Sequence, residues 1–261
     1  MELTKEYLYE TYIVKNMSQA QIAKELGTTE PRIDYWTKKY GLQYKKLDPD
    51  RVFNLKHIDK EDPIFCYYAG LVATDGYLDY KNKRIAVRVG NQGSNEVLEA
   101  LRNYFEFIRP VRHYIPKATG HTNHELQIPN QCIFKELESM GIEGKKDTRA
   151  FSVDWFMSAS EDCQRMFLRG VSDWDGHIES SGAFAIAMGS YDFIDNLICV
   201  INAVFGFSYI RKLKLNNTGK RYPLLSMRKN DSLALYKFMY DGFSEYRFTD
   251  KYNKYVSKMK I

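Results

Sequence analysis

Long apolar runs are missing from this 261-residue chain. Nothing in it approaches the roughly 18 consecutive apolar residues of a membrane-spanning helix. The N-terminal MELTKEYLYE has no signal-peptide shape either. These absences predict a protein with no membrane partner, cytoplasmic in a bacterium or phage-infected cell, or else organellar. Cysteine is scarce: Cys66, Cys132, Cys163 and Cys199 are scattered without a C-x-x-C pair. That argues against a zinc ribbon and a disulfide framework. A Gly-rich phosphate loop, a G-x-S-x-G element and any nucleotide signature are lacking as well. What is present suits a folded core, with 44% hydrophobic and 15% aromatic residues, 20 of them Tyr. The net charge of +5 leans towards an anionic partner.

Residues 1–44 read as three short helices. TKEYLYETYIVKN carries Leu8, Tyr12 and Ile13 at helical spacing. SQAQIAKEL has Ser18 as N-cap, with Ile22, Ala23 and Leu26 on one face, and Gly27 supplies a turn. The third helix starts at Thr29 with Pro31 in its first turn and Ile33 and Trp36 facing inward. This is the pattern of a helix-turn-helix, whose last helix would offer Arg32, Tyr35, Lys38 and Lys39 to DNA. A charged stretch, 45–61, reads as a linker interrupted by Pro49, with Lys45, Lys46 and Arg51 able to track phosphates.

From Asp62 the chain writes one pattern twice, as 62–157 and 158–261. Asp62-Pro63 starts an apolar helix ending at Asp75-Gly76; Ser158-x-x-Glu161 reads as the capping box of a second, ending at Asp175-Gly176. Two strands, a helix, a strand pair and a helix follow each. The implied class is α+β, as tandem αββαββα units. YAGLVATDG and LRGVSDWDG stand one hundred positions apart. Ala69, Gly70 and Ala73 fall on one helical stripe, as do Arg169, Gly170 and Asp173 in the second copy; stripes with small residues let two helices pack closely and bring Asp75 and Asp175 together. Like charges at the negative poles of two helices are costly. Divalent cations would neutralise them, and oxygen-ligated Mg²⁺ or Mn²⁺ between carboxylates and phosphate is the chemistry of phosphodiester hydrolysis.

On these residues the chain resembles the LAGLIDADG homing endonucleases in their single-chain, two-motif form, over roughly residues 62–258. The resemblance implies a monomer whose two sheets form a saddle on double-stranded DNA, and cleavage of both strands. It places the metal-binding acids on Asp75 and Asp175, and basic residues that act at the scissile phosphate on Lys146 (beside Lys145) and Lys251. It puts polar residues that position water on Asn91 and Ser190. Position six of the first motif is Ala73, and position seven is Thr74 and then Trp174, where the family carries a small residue. A Trp there is expected to displace the helix interface and the metal site.

Alternation along the strands assigns the faces. Ile85, Val87 and Val89 point to the core, leaving Arg84, Ala86 and Arg88 outward. Leu126 and Ile128 go inward, leaving Asn123, Glu125 and Gln127 for bases. Leu213 and Leu215 go inward, Lys212 and Lys214 outward, and Ala183, Ala185 and Ala187 offer apolar contact. His121 and His124 lack a Cys or acidic partner at metal-site spacing and read as hairpin residues near phosphate. The expected function is a metal-dependent, site-specific double-strand endonuclease. Two other readings stay open: a cleavage-deficient DNA-binding regulator on a degenerate core, and an intron RNA maturase.

Overall fold

The computed structural model describes residues 3–14, 17–40, 42, 57–90, 95–107, 110–115, 122–215, 219–240 and 246–259. They divide into two compact units, 1–52 and 53–261. Most of the expected linker, with Lys45, Lys46, Pro49 and Arg51, lies outside the described residues, as do Asn91 and His121.

In the first unit α1 (Lys5–Leu8) widens into a π turn over Tyr9–Val14, followed by α2 (Gln19–Glu25) and α3 (Glu30–Lys39). Ser18 and Gln21 form a reciprocal capping box: Gln21 N donates to Ser18 Oγ at 3.1 Å, and Ser18 N to Gln21 Oε1 at 2.7 Å. Thr29 caps α3 without a side-chain hydrogen bond, so Pro31 in the first turn does the pre-organising. Gly27 takes φ 61°, the left-handed geometry its turn requires. Leu8, Tyr12, Ile22, Ala23 and Ile33 close a small core, with Trp36 half-buried against it. Gln19 Nε2 ties α2 to α3 by donating to Thr37 Oγ1 at 2.9 Å.

The second unit is organised by two helices, α4 (Pro63–Asp75) and α8 (Glu161–Asp175). Asp62 caps α4, accepting from Ile64 N at 2.8 Å, with Pro63 at the first helical position. Residues 65–74 of α4 are all buried, which suits a helix apolar on every side. The cap of α8 is Ser160, not Ser158. Ser158 closes α7 (Val153–Ser158), a short helix the sequence reading missed, by donating to Trp155 O at 2.9 Å.

Around this pair lie β1 (Tyr77–Asp79), β2 (Arg84–Val89), α5 (Asn95–Tyr104), β3 (Arg112–Tyr114), β4 (Asn123–Pro129) and α6 (Gln131–Ser139) in the first half. The second half adds β5 (His177–Ile178), β6 (Phe184–Ala187), α9 (Tyr191–Phe205), β7 (Lys212–Leu215), β8 (Arg221–Ser226), α10 (Lys229–Tyr240) and α11 (Thr249–Met259). Each half holds one four-stranded antiparallel sheet, ordered β1-β2-β4-β3 and β5-β6-β8-β7. The same order twice is the tandem repeat in three dimensions.

Candidate active centre and nucleic-acid face

The repeated phrase is explained where α4 meets α8. A Cβ on Gly70 would stand 2.9 Å from Val171 N and 3.1 Å from Gly170 Cα; one on Gly170 would stand 3.0 Å from Leu71 N and 3.1 Å from Gly70 Cα. The backbones touch, and only glycine fits at either position. Gly76 and Gly176 are equally constrained, though by space: both have extended backbone, and a Cβ would strike Val72 Cα at 2.6 Å or Ser172 Cα at 2.8 Å. Asp75 and Asp175, the residues before these glycines, stand at the ends of adjacent helices.

Lys146 lies between them. Its ammonium is ion-paired with Asp75 Oδ1 and lies 3.9 Å from Asp175 Oδ2. Burial raises the pKa of Asp175; Lys146 and Lys251 oppose the shift, and the charge of Asp75 adds to it. Trp174 does not displace the helix interface. Its indole lies beside Phe248, ring centroids 5.8 Å apart, and Nε1 donates to Asp75 Oδ2 at 2.9 Å. A cleft of about 420 Å³ opens over the pair, lined also by Arg88, Gly90, Phe248 and Lys251.

Lys251 has different partners. Its Nζ donates to Ser172 O (2.7 Å), Gly176 O (2.7 Å) and Trp174 O (3.2 Å), closing the C-terminal turn of α8. Burial pushes its pKa down to about 8 against the pull of Asp173 and Asp175. The corresponding cation in the first half is Arg149, whose Nη1 donates to Val72 O (2.5 Å) and Gly76 O (2.7 Å) and whose Nη2 reaches Gly144 O at 3.2 Å. Sequence reasoning missed Arg149. The available signal was its position, nearly as far beyond Asp75 as Lys251 lies beyond Asp175.

Asp173, on the packing stripe of α8, has partners that the sequence reading did not foresee. It is fully buried and accepts from Tyr67 Oη at 2.9 Å, Tyr240 Oη at 2.6 Å and Phe248 N at 2.9 Å. The Tyr67 bond crosses from α4 to α8, so this acid fastens the halves.

On the outer face of the first sheet, Arg84 donates to Asp79 Oδ2 at 3.1 Å. Arg88 pairs with Glu125 directly across the strands, Gln127 Nε2 donates to Glu125, and Arg112 approaches it to 3.8 Å. Glu125 is therefore buried under its partners, correcting the expectation that it faces bases, while the Arg88 side chain stays 54% exposed. Asn123 is half-buried at the next outward position of β4. Ile85, Val87, Leu126 and Ile128 pack inward as expected.

In the second sheet Lys212 and Lys214 are exposed. Leu213 and Leu215 correct the alternation: they are 51% and 63% exposed, because β7 is the edge strand. Ala183 and Ala185 are buried, leaving Ala187 outward. Ser190 is buried and its hydroxyl caps α9, accepting from Phe193 N at 3.1 Å. His124 is buried on the inner face, its Nδ1 2.6 Å from that of His113, which corrects its expected place beside phosphate. In the first unit Arg32, Tyr35, Lys38 and Lys39 are exposed on α3; Lys38 pairs with Asp34 at 2.6 Å and Lys39 lies over Trp36 at 4.4 Å.

The fold is similar, over 77% of this chain, to that of the homing endonuclease I-WcaI bound to its DNA recognition sequence, with a TM-score of 0.53 at 15% identity and 91% of that chain covered. This is the LAGLIDADG fold. Full-length DUF199/WhiA from Thermatoga maritima is also similar (TM-score 0.46, 14% identity, 78% of this chain and 62% of that one). So is I-DmoI in complex with DNA and Mn (TM-score 0.46, 13% identity, 70% and 98%). No protein-family model and no curated protein matches the sequence.

Within the LAGLIDADG fold of this chain, no group of three or more His, Cys, Asp or Glu side chains among the described residues is placed to hold a metal ion. The donors at the centre are two carboxylates, with an ammonium where a cation would sit. Such all-oxygen donors fit a hard divalent ion that completes its shell with water and phosphate.

Proposed function

We propose that the chain is a site-specific double-strand DNA endonuclease that uses Mg²⁺ or Mn²⁺. The observation that carries the reading is the convergence of Asp75 and Asp175 at the ends of two touching helices, with Lys146 between them. Asp75 and Asp175 would hold the metal, which supplies a Lewis acid and an activated water when bound. Lys146 would turn from the carboxylates to the phosphate, neutralising charge that develops there. Arg88 would read base edges with the guanidinium nitrogens that Glu125 leaves free, and Lys212 and Lys214 would hold phosphates. The exposed Arg32, Tyr35, Lys38 and Lys39 support reading α2 and α3 as a helix-turn-helix that lengthens the DNA footprint. Deleting residues 1–44 should then weaken binding and lower the salt slope by roughly one unit per lost phosphate contact.

A second reading, a DNA-binding regulator that does not cut, is favoured by one observation. The Trp174 indole already bonds the Asp75 oxygen a metal would need. Asp75→Asn and Asp175→Asn separate the two. A plasmid library incubated with Mg²⁺ and end-sequenced should show double-strand cuts by the native chain and none by either variant, with DNA affinity in Ca²⁺ retained. Absence of cutting by the native chain at any site would falsify the nuclease reading and leave the regulator.

A further inference from the structure

At the other end of the helix pair, remote from the aspartates, lie two thiols that the proposed chemistry does not use. Cys66 is in the first turns of α4 and Cys163 in the first turn of α8, and both are fully buried. Cys66 Sγ donates to Lys60 O at 3.2 Å and Cys163 Sγ to Glu61 O at 3.1 Å, so adjacent carbonyls hold the two sulfurs side by side. Each thiol also acts on the other's acidity: Cys66 holds the Cys163 pKa below the usual thiol range, and Cys163 lifts that of Cys66. The amino-terminal pole of α8 favours a thiolate at Cys163 in the same sense. A cleft of about 850 Å³ reaches this corner, lined by Lys60 and Glu61, whose carbonyls the thiols contact, and by Ser160, which caps Cys163 N.

We propose that Cys66 and Cys163 form a peroxide-sensitive pair whose disulfide staples α4 to α8 and so joins the two halves of the fold. The Cys163 thiolate attacks one oxygen of hydrogen peroxide; the O–O bond breaks, and the departing oxygen leaves as water after taking up a proton. Cys163 is then a sulfenic acid. The Cys66 sulfur attacks the Cys163 sulfur, the S–S bond forms, and the sulfenic oxygen leaves as a second water carrying the Cys66 proton. Peroxide is reduced to two waters, two thiols are oxidised to one disulfide, and an excess of a small thiol reverses the bond. The cross-link constrains the unfolded chain across the long stretch between the two cysteines. Nothing in this inference depends on whether the protein cuts DNA.

The test uses the full chain with Cys132→Ser and Cys199→Ser, which leaves only the pair. Peroxide should yield, after digestion without reductant, a linked peptide lighter by two hydrogens than its parts. The thermal midpoint should rise by about 5–10 °C and fall back with dithiothreitol. Cys163→Ala and Cys66→Ala in that background should each abolish both effects, and either variant alone suffices. Peroxide that fully oxidises the exposed Cys199 of the unaltered chain yet links no Cys66 to Cys163 would overturn the proposal. So would a link that forms only in urea.

Discussion

Replacing Asp173 with Ala tests how the two halves are fastened. The carboxylate is buried and takes three hydrogen bonds, from Tyr67 on α4, Tyr240 on α10 and the backbone N–H of Phe248. A methyl group in its place would strand all three donors where water does not reach, at about 1–3 kcal/mol each. Against that stands the relief of an acid whose pKa burial has raised. Removing one side of a buried charged network nets about 3–5 kcal/mol of destabilisation. Urea unfolding followed by intrinsic fluorescence measures it, and a double-mutant cycle with Tyr240→Phe assigns it. Alone, Tyr240→Phe should cost about 1–2 kcal/mol. Beside Asp173→Ala it should restore stability, because it removes a stranded hydroxyl, and the sign should change. A loss under about 1 kcal/mol for Asp173→Ala, or the same effect of Tyr240→Phe in both backgrounds, would refute the reasoning.

Three further outcomes are expected. Trp174→Phe keeps a ring beside Phe248 but frees Asp75 Oδ2, so calorimetric Mn²⁺ affinity should rise about tenfold, the worth of one bond to a charged group; an unchanged affinity would remove the indole from the metal question. Lys251 has a folded pKa of about 8, below its unfolded value, so between pH 8 and about 10.4 the unfolded chain holds the extra proton. Stability relative to Lys251→Met should therefore climb with pH across that window, by at most about 1.4 kcal/mol per unit, and a flat difference would contradict the burial argument. Arg88→Ala should relax base preference under the first sheet by about 1–3 kcal/mol, and Glu125→Gln should blur the same position by loosening Arg88. Identical site-preference profiles for the native chain and both variants would rule this out.

The paired helices were legible because their signals are local. Asp62-Pro63 and the small residues flanking Gly70 and Gly170 each admit few conformations, and a repeat doubles their weight. The four strands of each sheet followed from alternation. What escaped depends on partners distant in sequence. Ser158 and Ser160 are both plausible caps, and only the packing of α7 separates them. Lys146 and Arg149 stand three residues apart, yet one meets carboxylates and the other buried carbonyls. Glu125 sits at an outward strand position and is buried only because Arg88, Arg112 and Gln127 close over it. Asp173 stands on the packing stripe of the second motif, but the two tyrosines and the backbone amide that hold it lie far away in sequence. Leu213 and Leu215 failed the alternation because an edge strand's inner face is not automatically covered.

The contact at Gly70 and Gly170 is self-complementary in its backbone, yet the side chains around it are not interchangeable. Where the second helix carries Arg169 and Asp173, the first carries Ala69 and Ala73; where the first carries Tyr67, the second carries Phe167. Two first halves meeting through this surface would leave the Tyr67 hydroxyls without their acid. Two second halves would set each Asp173 against a phenylalanine and bury both carboxylates one donor short. Only the mixed pair gives Tyr67 its acceptor and Asp173 its third donor, so the interface distinguishes self from partner by unpaired polarity as well as by fit. The chain therefore lacks the exchange symmetry of a homodimer, and its two halves are free to differ from each other.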